Sequence, residues 1–376
     1  EADVPIVGGG VIGTATAFAL RQQAPDLRVV IVEAERLAHG ASGRNAGFLL
    51  LGTHADYASA VATYGRDRAR RLWQFTREAF RLAADLGARR DVGFAATGSV
   101  LAAGDAAEAD RLRQSQALLA DDGVASEIAE GERAGARTGG RGFPAALFVP
   151  EGGVIDPARL VAALAAESGA RVLERWPVAH VEAEGGRVRL GGREGGEVVA
   201  SRVLIAANAF LPRLLPALAP VVRPVRAQMF ATAPAPIRLS APVYSHEGYY
   251  YLRQRADGRV LVGGARHLHE ADEVGYDDAT TEALQASLAA YVAEHFPAFA
   301  GLAVERRWSG TMGFSPDGLP ALGPVPDVSG VSFAAGFTGH GMGYALRFGA
   351  LAARLLRGEP DPAADLFAAR RLGASD

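Results

Sequence analysis

The 376-residue sequence contains no cysteine and no lysine; all 39 of its basic residues are arginine. These two absences exclude several chemistries. Without lysine there is no Schiff base of the pyridoxal-phosphate or class I aldolase kind and no phosphate loop ending in Gly-Lys-Ser/Thr. Without cysteine there is no disulfide, thiol nucleophile, Cys-ligated zinc or iron–sulfur cluster. No metal site is expected. A long uncharged apolar run is missing as well. The most apolar stretch, residues 198–222, is interrupted by Arg202, Pro212, Arg213, Pro216 and Pro220, so no membrane span is expected. A net charge of −3 gives no electrostatic reason to bind nucleic acid or an anionic membrane. No charged segment followed by an apolar one opens the chain, and a cytoplasmic location is the expectation. Asparagine occurs twice, at Asn45 and Asn208.

What remains is ordinary globular material, 49% apolar and 22% charged, of a length that suggests two domains. Residues 4–7 read as a buried strand, residues 11–24 as an Ala-rich helix closed by Pro25, and residues 28–33 as a second buried strand: one βαβ unit. Residues 57–87 and 105–121 read as helices, 96–102 as a strand and 133–142 as a Gly/Arg-rich loop. Asp156-Pro157 starts a helix through Ser168, with Asp as N-cap and Pro in the first turn. Strands follow at 177–183, 187–190, 198–199 and 202–207. A further strand-rich block covers 222–232, 249–254 and 259–262, with Asp257-Gly258 as a hairpin turn. Residues 277–295 read as a helix, 331–334 as a strand and 344–357 as a helix.

Gly8-Gly9-Gly10-Val11-Ile12-Gly13 fits G-x-G-x-x-G between a strand and a helix, the context this dinucleotide-binding motif requires. Gly8 permits the tight turn, Gly10 lets the backbone approach a pyrophosphate, and Gly13 lets the helix pack on the strand. Phosphates would then meet the helix N-terminus through Val11 and Ile12. Glu33, twenty residues on, is placed to accept ribose hydroxyls, with Ala34 beside it. Ala41-Ser42-Gly43-Arg44-Asn45-Ala46-Gly47 follows directly. Its small residues let the chain run against a cofactor, and Ser42, Arg44 and Asn45 offer donors for phosphate or ring oxygens; a surface loop is the alternative. No second G-x-G-x-x-G exists, which points to a substrate that itself delivers hydride rather than to NAD(P)H.

Together these motifs resemble the flavin oxidoreductases of the D-amino-acid oxidase superfamily. The resemblance continues through Val178 in WPVAHVEAEGG, AANAFLPRLLPAL at 206–218, RPVRAQMFAT at 223–232, Trp308-Ser309-Gly310 with Ser315-Pro316-Asp317-Gly318-Leu319-Pro320, and Gly336-Phe337-Thr338-Gly339-His340-Gly341-Met342-Gly343. It spans residues 3–358. It implies an α/β fold, a Rossmann-like FAD/NAD(P)-binding domain interleaved with an antiparallel-sheet α+β substrate domain. The expected division is 1–88, 140–218 and 303–376 for FAD, and 89–139 and 219–302 for substrate. It adds Val178, Ala206, Ala207, Gly310, Gly339, His340, Gly341 and Met342 to the residues expected to bind FAD.

The resemblance implies an enzyme that oxidises a C–N bond of an amine or amino acid by hydride transfer to flavin, giving an imine, with reoxidation by oxygen or another acceptor. Two other readings stay open: a flavin dehydrogenase acting on a C–O bond, and a non-catalytic flavin subunit of a larger complex. Met312 stands where carboxylate-binding relatives are expected to carry an arginine, which counts against a carboxylate held there. Without cysteine FAD cannot be held by a thioether; it is expected to be non-covalent, with a link to His39 or His340 as the alternative. Tyr251 is placed where glycine oxidase-like proteins put a tyrosine over the substrate; Tyr249 shares its face and Tyr250 points the other way. Phe48 could wall the pocket, and His340 could hydrogen-bond flavin or substrate. Each of these residues would serve equally in the core. Arg226 and Arg253 are read as sheet salt bridges before anion sites, and His267 and His269 as a surface turn. An oligomer is compatible with the sequence.

Overall fold

The computed structural model describes residues 2–373; Glu1 and residues 374–376, the outer limits of the expected division, lie outside the described residues. Six strands form a sheet in the order Ala321–Pro324, Val331–Ala335, Val203–Ile205, Val4–Val7, Val29–Val32, Arg171–Leu173. All neighbours are parallel except the edge pair Ala321–Pro324 and Val331–Ala335. The strands are almost wholly apolar because both faces are covered. Ile6, Ile31 and Leu204 face the helices Val11–Gln23, Pro157–Ser168 and Gly341–Arg357. Val7, Val32 and Ile205 face the opposite side, where a three-stranded sheet of Val178–Glu184, Arg187–Gly192 and Glu197–Ala200 packs through Val188, Leu190 and Val198. The first and last of these helices approach closely: a Cβ on Gly349 would lie 2.5 Å from the Ala15 carbonyl carbon.

A second sheet has eight strands, in the order Val304–Phe314, Arg223–Thr232, Val260–Gly264, Tyr250–Gln254, Val243–Ser245, Ser99–Ala102, Ala145–Val149, Glu127–Glu130. One pair, Val243–Ser245 with Ser99–Ala102, is parallel. Helix Glu282–His295 packs on this sheet through Leu284, Leu288, Tyr291 and Val292. The interleaved α/β architecture is therefore as expected. The chain crosses between sheets at other places, however: Ala145–Val149 and Val304–Phe314, assigned by sequence to the FAD portion, pair within the eight-stranded sheet.

Several local expectations are corrected. The helix expected over 57–87 is two helices, Tyr57–Tyr64 and Arg66–Arg89, parted at Gly65 with φ 81°. Residues 133–142 are not all loop, since Glu132–Thr138 is helical and stops at left-handed Gly139, the usual helix C-terminal use of glycine. The helix expected from 277 begins at Glu282. Asp156 caps its helix as expected, accepting from the Ala158 and Arg159 N–H groups. Among the described residues no helix is long and apolar enough to cross a membrane.

Candidate active site

A cavity of about 1550 Å³ follows the C-terminal ends of strands Val4–Val7, Val29–Val32 and Val203–Ile205, then runs on against the eight-stranded sheet. Ligands of open parallel sheets bind at this edge. Gly8 leaves its strand with φ 113°, and a Cβ there would sit 2.5 Å from the Ala206 carbonyl oxygen, so the turn requires glycine. Gly10 faces the cavity, and its absent Cβ would lie 2.9 Å from Ser42 Oγ. Gly13 lies behind, where a Cβ would come within 2.0 Å of the Gly8 oxygen. Val11 donates its N–H to Ser42 Oγ at 2.9 Å, which leaves the Ser42 hydroxyl proton for another acceptor.

A second helix opens onto the same cavity. Gly339, His340, Gly341 and Met342 line it at the start of Gly341–Arg357. Two helix N-termini thus direct positive dipole ends into one space, an arrangement that favours an anionic ligand. Glu33 accepts from Gly9 N–H at 2.6 Å and Glu35 N–H at 2.9 Å. These bonds fix its carboxylate at the cavity wall and still leave lone pairs for hydroxyls.

The loop after Glu33 is tied largely to the protein. Arg44 donates to the Asp278 carboxylate, the Ser309 carbonyl and the His39 carbonyl. Asn45 donates to the Ala41 and Ser42 carbonyls and accepts from Gly47 N–H. These two side chains therefore shape the loop, beyond the donor role expected of them. Gly43 is off the cavity, its missing Cβ facing the Ala38 oxygen at 2.2 Å.

At the other end the wall is aromatic. Tyr244 and Tyr251 stack with ring centroids 5.6 Å apart, and Phe48 meets them at 5.3 and 6.2 Å. Burial pushes both phenols up, Tyr244 to about 12. Tyr249 and Tyr251 line the cavity while Tyr250 stacks on Tyr291 in the core at 4.0 Å, the alternation the sequence suggested. Met312 faces the cavity, its sulfur 3.5 Å from the space a Gly339 Cβ would fill. His340 is 7% exposed, and its Nε2 has no hydrogen-bond partner. Burial first, then the nearby His54, lowers its pKa to about 4, so the imidazole is neutral over the physiological range.

All four candidate catalytic residues, Phe48, Tyr251, Met312 and His340, line the cavity. So do the candidate cofactor-binding residues except Gly13 and Gly43. Arg226 and Arg253 are buried elsewhere: Arg226 pairs with Glu273 at 2.8 Å, and Arg253 donates to the Ile155 carbonyl at 3.1 Å. Sequence reasoning passed over Tyr244, His54, Phe314 and Arg266, which also line the cavity. Tyr244 lies on a three-residue strand with little period-2 signal. Arg266 sits in the segment read as a surface turn, one of 39 identical basic residues.

A family model described as FAD dependent oxidoreductase (DAO) matches residues 3–355. The chain belongs to this family. Glycine oxidase of Pseudomonas putida is similar at 30% identity over 351 residues, covering 90% of each chain. Gamma-glutamylputrescine oxidoreductase of Escherichia coli is 27% identical over 383 residues, covering 96% of this chain and 84% of that protein. The crystal structure of glycine oxidase from Geobacillus kaustophilus superposes with a TM-score of 0.81 at 25% identity, over 97% of this chain and 98% of that one.

The cavity of this FAD-dependent oxidoreductase fits the cofactor on its own geometry. Gly10 leaves a cradle that a side chain would fill, two helix N-termini face the same space, and the Ser42 hydroxyl keeps hydrogen-bonding capacity there. FAD bound in this cavity would face Gly8, Gly10, Glu33, Ser42 and the 339–342 turn, which line it.

The lowered His340 pKa carries a stability consequence. Below its unfolded value of 6.5 the unfolded chain binds a proton that the native state refuses until about 4. Stability is therefore complete above that unfolded value and declines as pH falls toward 4. Between pH 7 and pH 5 the wild type is expected to lose roughly 2 kcal/mol more than His340→Asn. Urea unfolding at the two pH values checks this; equal losses in both proteins would refute it.

Proposed function

We propose that this FAD-dependent oxidoreductase oxidises the C–N bond of an amine or amino acid, with FAD bound non-covalently. The observation that carries the reading is the chamber formed by Phe48, Tyr244, Tyr251, Met312 and His340, aromatic and sulfur-lined, with its imidazole neutral, continuous with the dinucleotide groove. The relatives support it, being named for glycine and for gamma-glutamylputrescine, both amines. The substrate loses a C–H and an N–H hydrogen and gains a C=N bond, which water hydrolyses, and bound FAD supplies the two-electron acceptor.

This chain's residues then have distinct tasks. The rings of Tyr251, Tyr244 and Phe48 exclude water and give the substrate flat walls. His340 contributes an uncharged, buried ring to the wall. Phenols raised by burial do not ionise at neutral pH, so neither tyrosine is a general base there. An amine that binds already neutral needs no such base. The absence of cysteine supports non-covalent attachment.

The test is anaerobic mixing of the yellow protein with amines, N-methyl amino acids, D-amino acids and 2-hydroxy acids. Bleaching of the flavin bands by members of the nitrogen series is expected, with colour returning on addition of oxygen or an artificial acceptor. Acid precipitation is expected to leave the flavin in the supernatant. Bleaching by hydroxy acids alone would move the assignment to C–O bonds, and flavin retained on the pellet would refute non-covalent attachment.

A further inference from the structure

Met312 places no charge on its cavity wall, yet the cavity holds a cation elsewhere. Arg266 lies two strands across the same sheet, just after strand Val260–Gly264. The chain leaves that strand through Gly264 at φ 124° and Ala265 at φ 57°. A Cβ on Gly264 would meet the Tyr249 oxygen at 2.0 Å, and Ala265 is fully buried. A left-handed, non-glycine residue in a packed position is held there by its surroundings against its own backbone preference. Its effect is to turn the next residue, Arg266, into the cavity.

The Arg266 guanidinium rests over the Phe314 ring at 4.9 Å and the Tyr249 ring at 5.2 Å. Among the described residues no carboxylate forms an ion pair with it. Of the other cavity arginines, Arg44 is taken by Asp278 and the Ser309 carbonyl, Arg213 lies over the Tyr276 ring at 3.9 Å, and Arg193 and Arg223 are exposed. Arg266 also acts on the chamber residues. Burial and then Tyr244 push the Tyr251 phenol up, with the Arg266 charge acting against them. Crowding by protein atoms and then the same charge lower His54. A guanidinium fixed by two rings, half-buried and unpaired, is preorganised for a bidentate anion.

We propose that Arg266 is the specificity-determining residue that receives the carboxylate of an amine substrate, in place of a cation at position 312. The proposal rests on the amine-oxidising reading for its substrate and on the placement of Arg266 for its anion site. The two are separable by experiment. The FAD-loaded protein is turned over, with an artificial electron acceptor, on N-methylamino alkanoates carrying one to four methylenes between nitrogen and carboxylate. Their methyl esters and N-methylbutylamine are run beside them. Independently, butanoate and butanamide are titrated while the flavin absorbance is followed.

In the wild type one member of the carboxylate series is expected to show a KM at least tenfold below its ester. Arg266→Gln is expected to raise that KM roughly 10- to 100-fold, the worth of a charge-assisted pair, with kcat changed less than about threefold. The ester and N-methylbutylamine are expected to react as with wild type, and Arg266→Lys to recover part of the loss. Butanoate, and not butanamide, is expected to perturb the flavin spectrum, and to stop doing so in Arg266→Gln. If no amine bleaches the flavin while butanoate still binds through Arg266, the amine reading falls and the anion site stands. Equal losses for charged and uncharged amines would overturn the proposal. So would butanoate binding that survives Arg266→Gln, or a variant altered only in flavin reoxidation.

Discussion

Gly13→Ala and Gly10→Ala are expected to fail in different ways, although both lie in one six-residue motif. At Gly13 the new methyl would stand 2.0 Å from the backbone oxygen of Gly8 and 3.2 Å from an Ile6 methyl. Neither neighbour is the end of a flexible side chain, so helix Val11–Gln23 must move off strand Val4–Val7. Overpacking of this kind costs typically about 1–3 kcal/mol, and more where backbone is struck. The cofactor-free protein is expected to lose about 3 kcal/mol in urea unfolding or to accumulate as insoluble chain. At Gly10 the methyl would meet only Ser42 Oγ, at 2.9 Å, which can rotate. The Gly10→Ala chain is expected to unfold within about 1 kcal/mol of wild type. Its methyl would occupy the space through which backbone approaches a pyrophosphate, so FAD affinity is expected to fall roughly 100-fold. Equilibrium dialysis against FAD, with urea unfolding of the same samples, separates the two. Unchanged FAD affinity in Gly10→Ala, or a wild-type unfolding curve for Gly13→Ala, would contradict these assignments.

Glu273→Ala is expected to be the most damaging change outside the nucleotide turn. The Glu273 side chain is 0% exposed and that of Arg226 7% exposed. Arg226 donates to both Glu273 oxygens, and Gln228 adds a third bond at 2.8 Å. Gln228 in turn holds Thr281 and Gln285. Removing the carboxylate leaves a buried guanidinium without its anion, a loss of about 3–5 kcal/mol. Replacing both partners, Arg226→Met with Glu273→Leu, is expected to restore most of that stability. The segment 265–281 carries Arg266, Tyr276 and Asp278 into the cavity, and Glu273 is its buried anchor. The double variant is thus expected to fold while showing a raised KM for substrate. Glu273→Ala unfolding like wild type would refute the role given to the pair, as would a double variant no more stable than the single one.

The parts of the molecule legible in the sequence are those fixed by local rules. Strands Val4–Val7 and Val29–Val32, the helix between them and Gly8–Gly13 are dictated by unbroken apolar runs, glycine spacing and caps within thirty residues. Asp156-Pro157 announced its helix for the same reason. Strand Val304–Phe314 was not legible: VERRWSGTMGF shows no alternation, and its pairing comes from residues 223–232, some eighty positions away. Ala145–Val149 was hidden similarly between two elements already assigned to different regions. Within the site, the cofactor turns could be read because backbone conformation restricts them to glycine. The substrate side could not. Whether an arginine such as Arg226, Arg253 or Arg266 faces an acid, a carbonyl or the cavity depends on tertiary neighbours that composition does not encode.

The contact between Gly349 and Ala15 has a consequence for synthesis. The cavity's two helix N-termini belong to residues 10–13 and 339–342, and the helices behind them pack together through that glycine. A ribosome therefore adds more than three hundred residues after the first wall before the second exists. Strand Val4–Val7 must wait first for Val203–Ile205 and then for Val331–Ala335 to widen its sheet. Nascent chains ending before residue 341 would present half a nucleotide groove. Flavin capture is thereby delayed until helix Gly341–Arg357 is made, so the yellow colour marks a chain that has reached it.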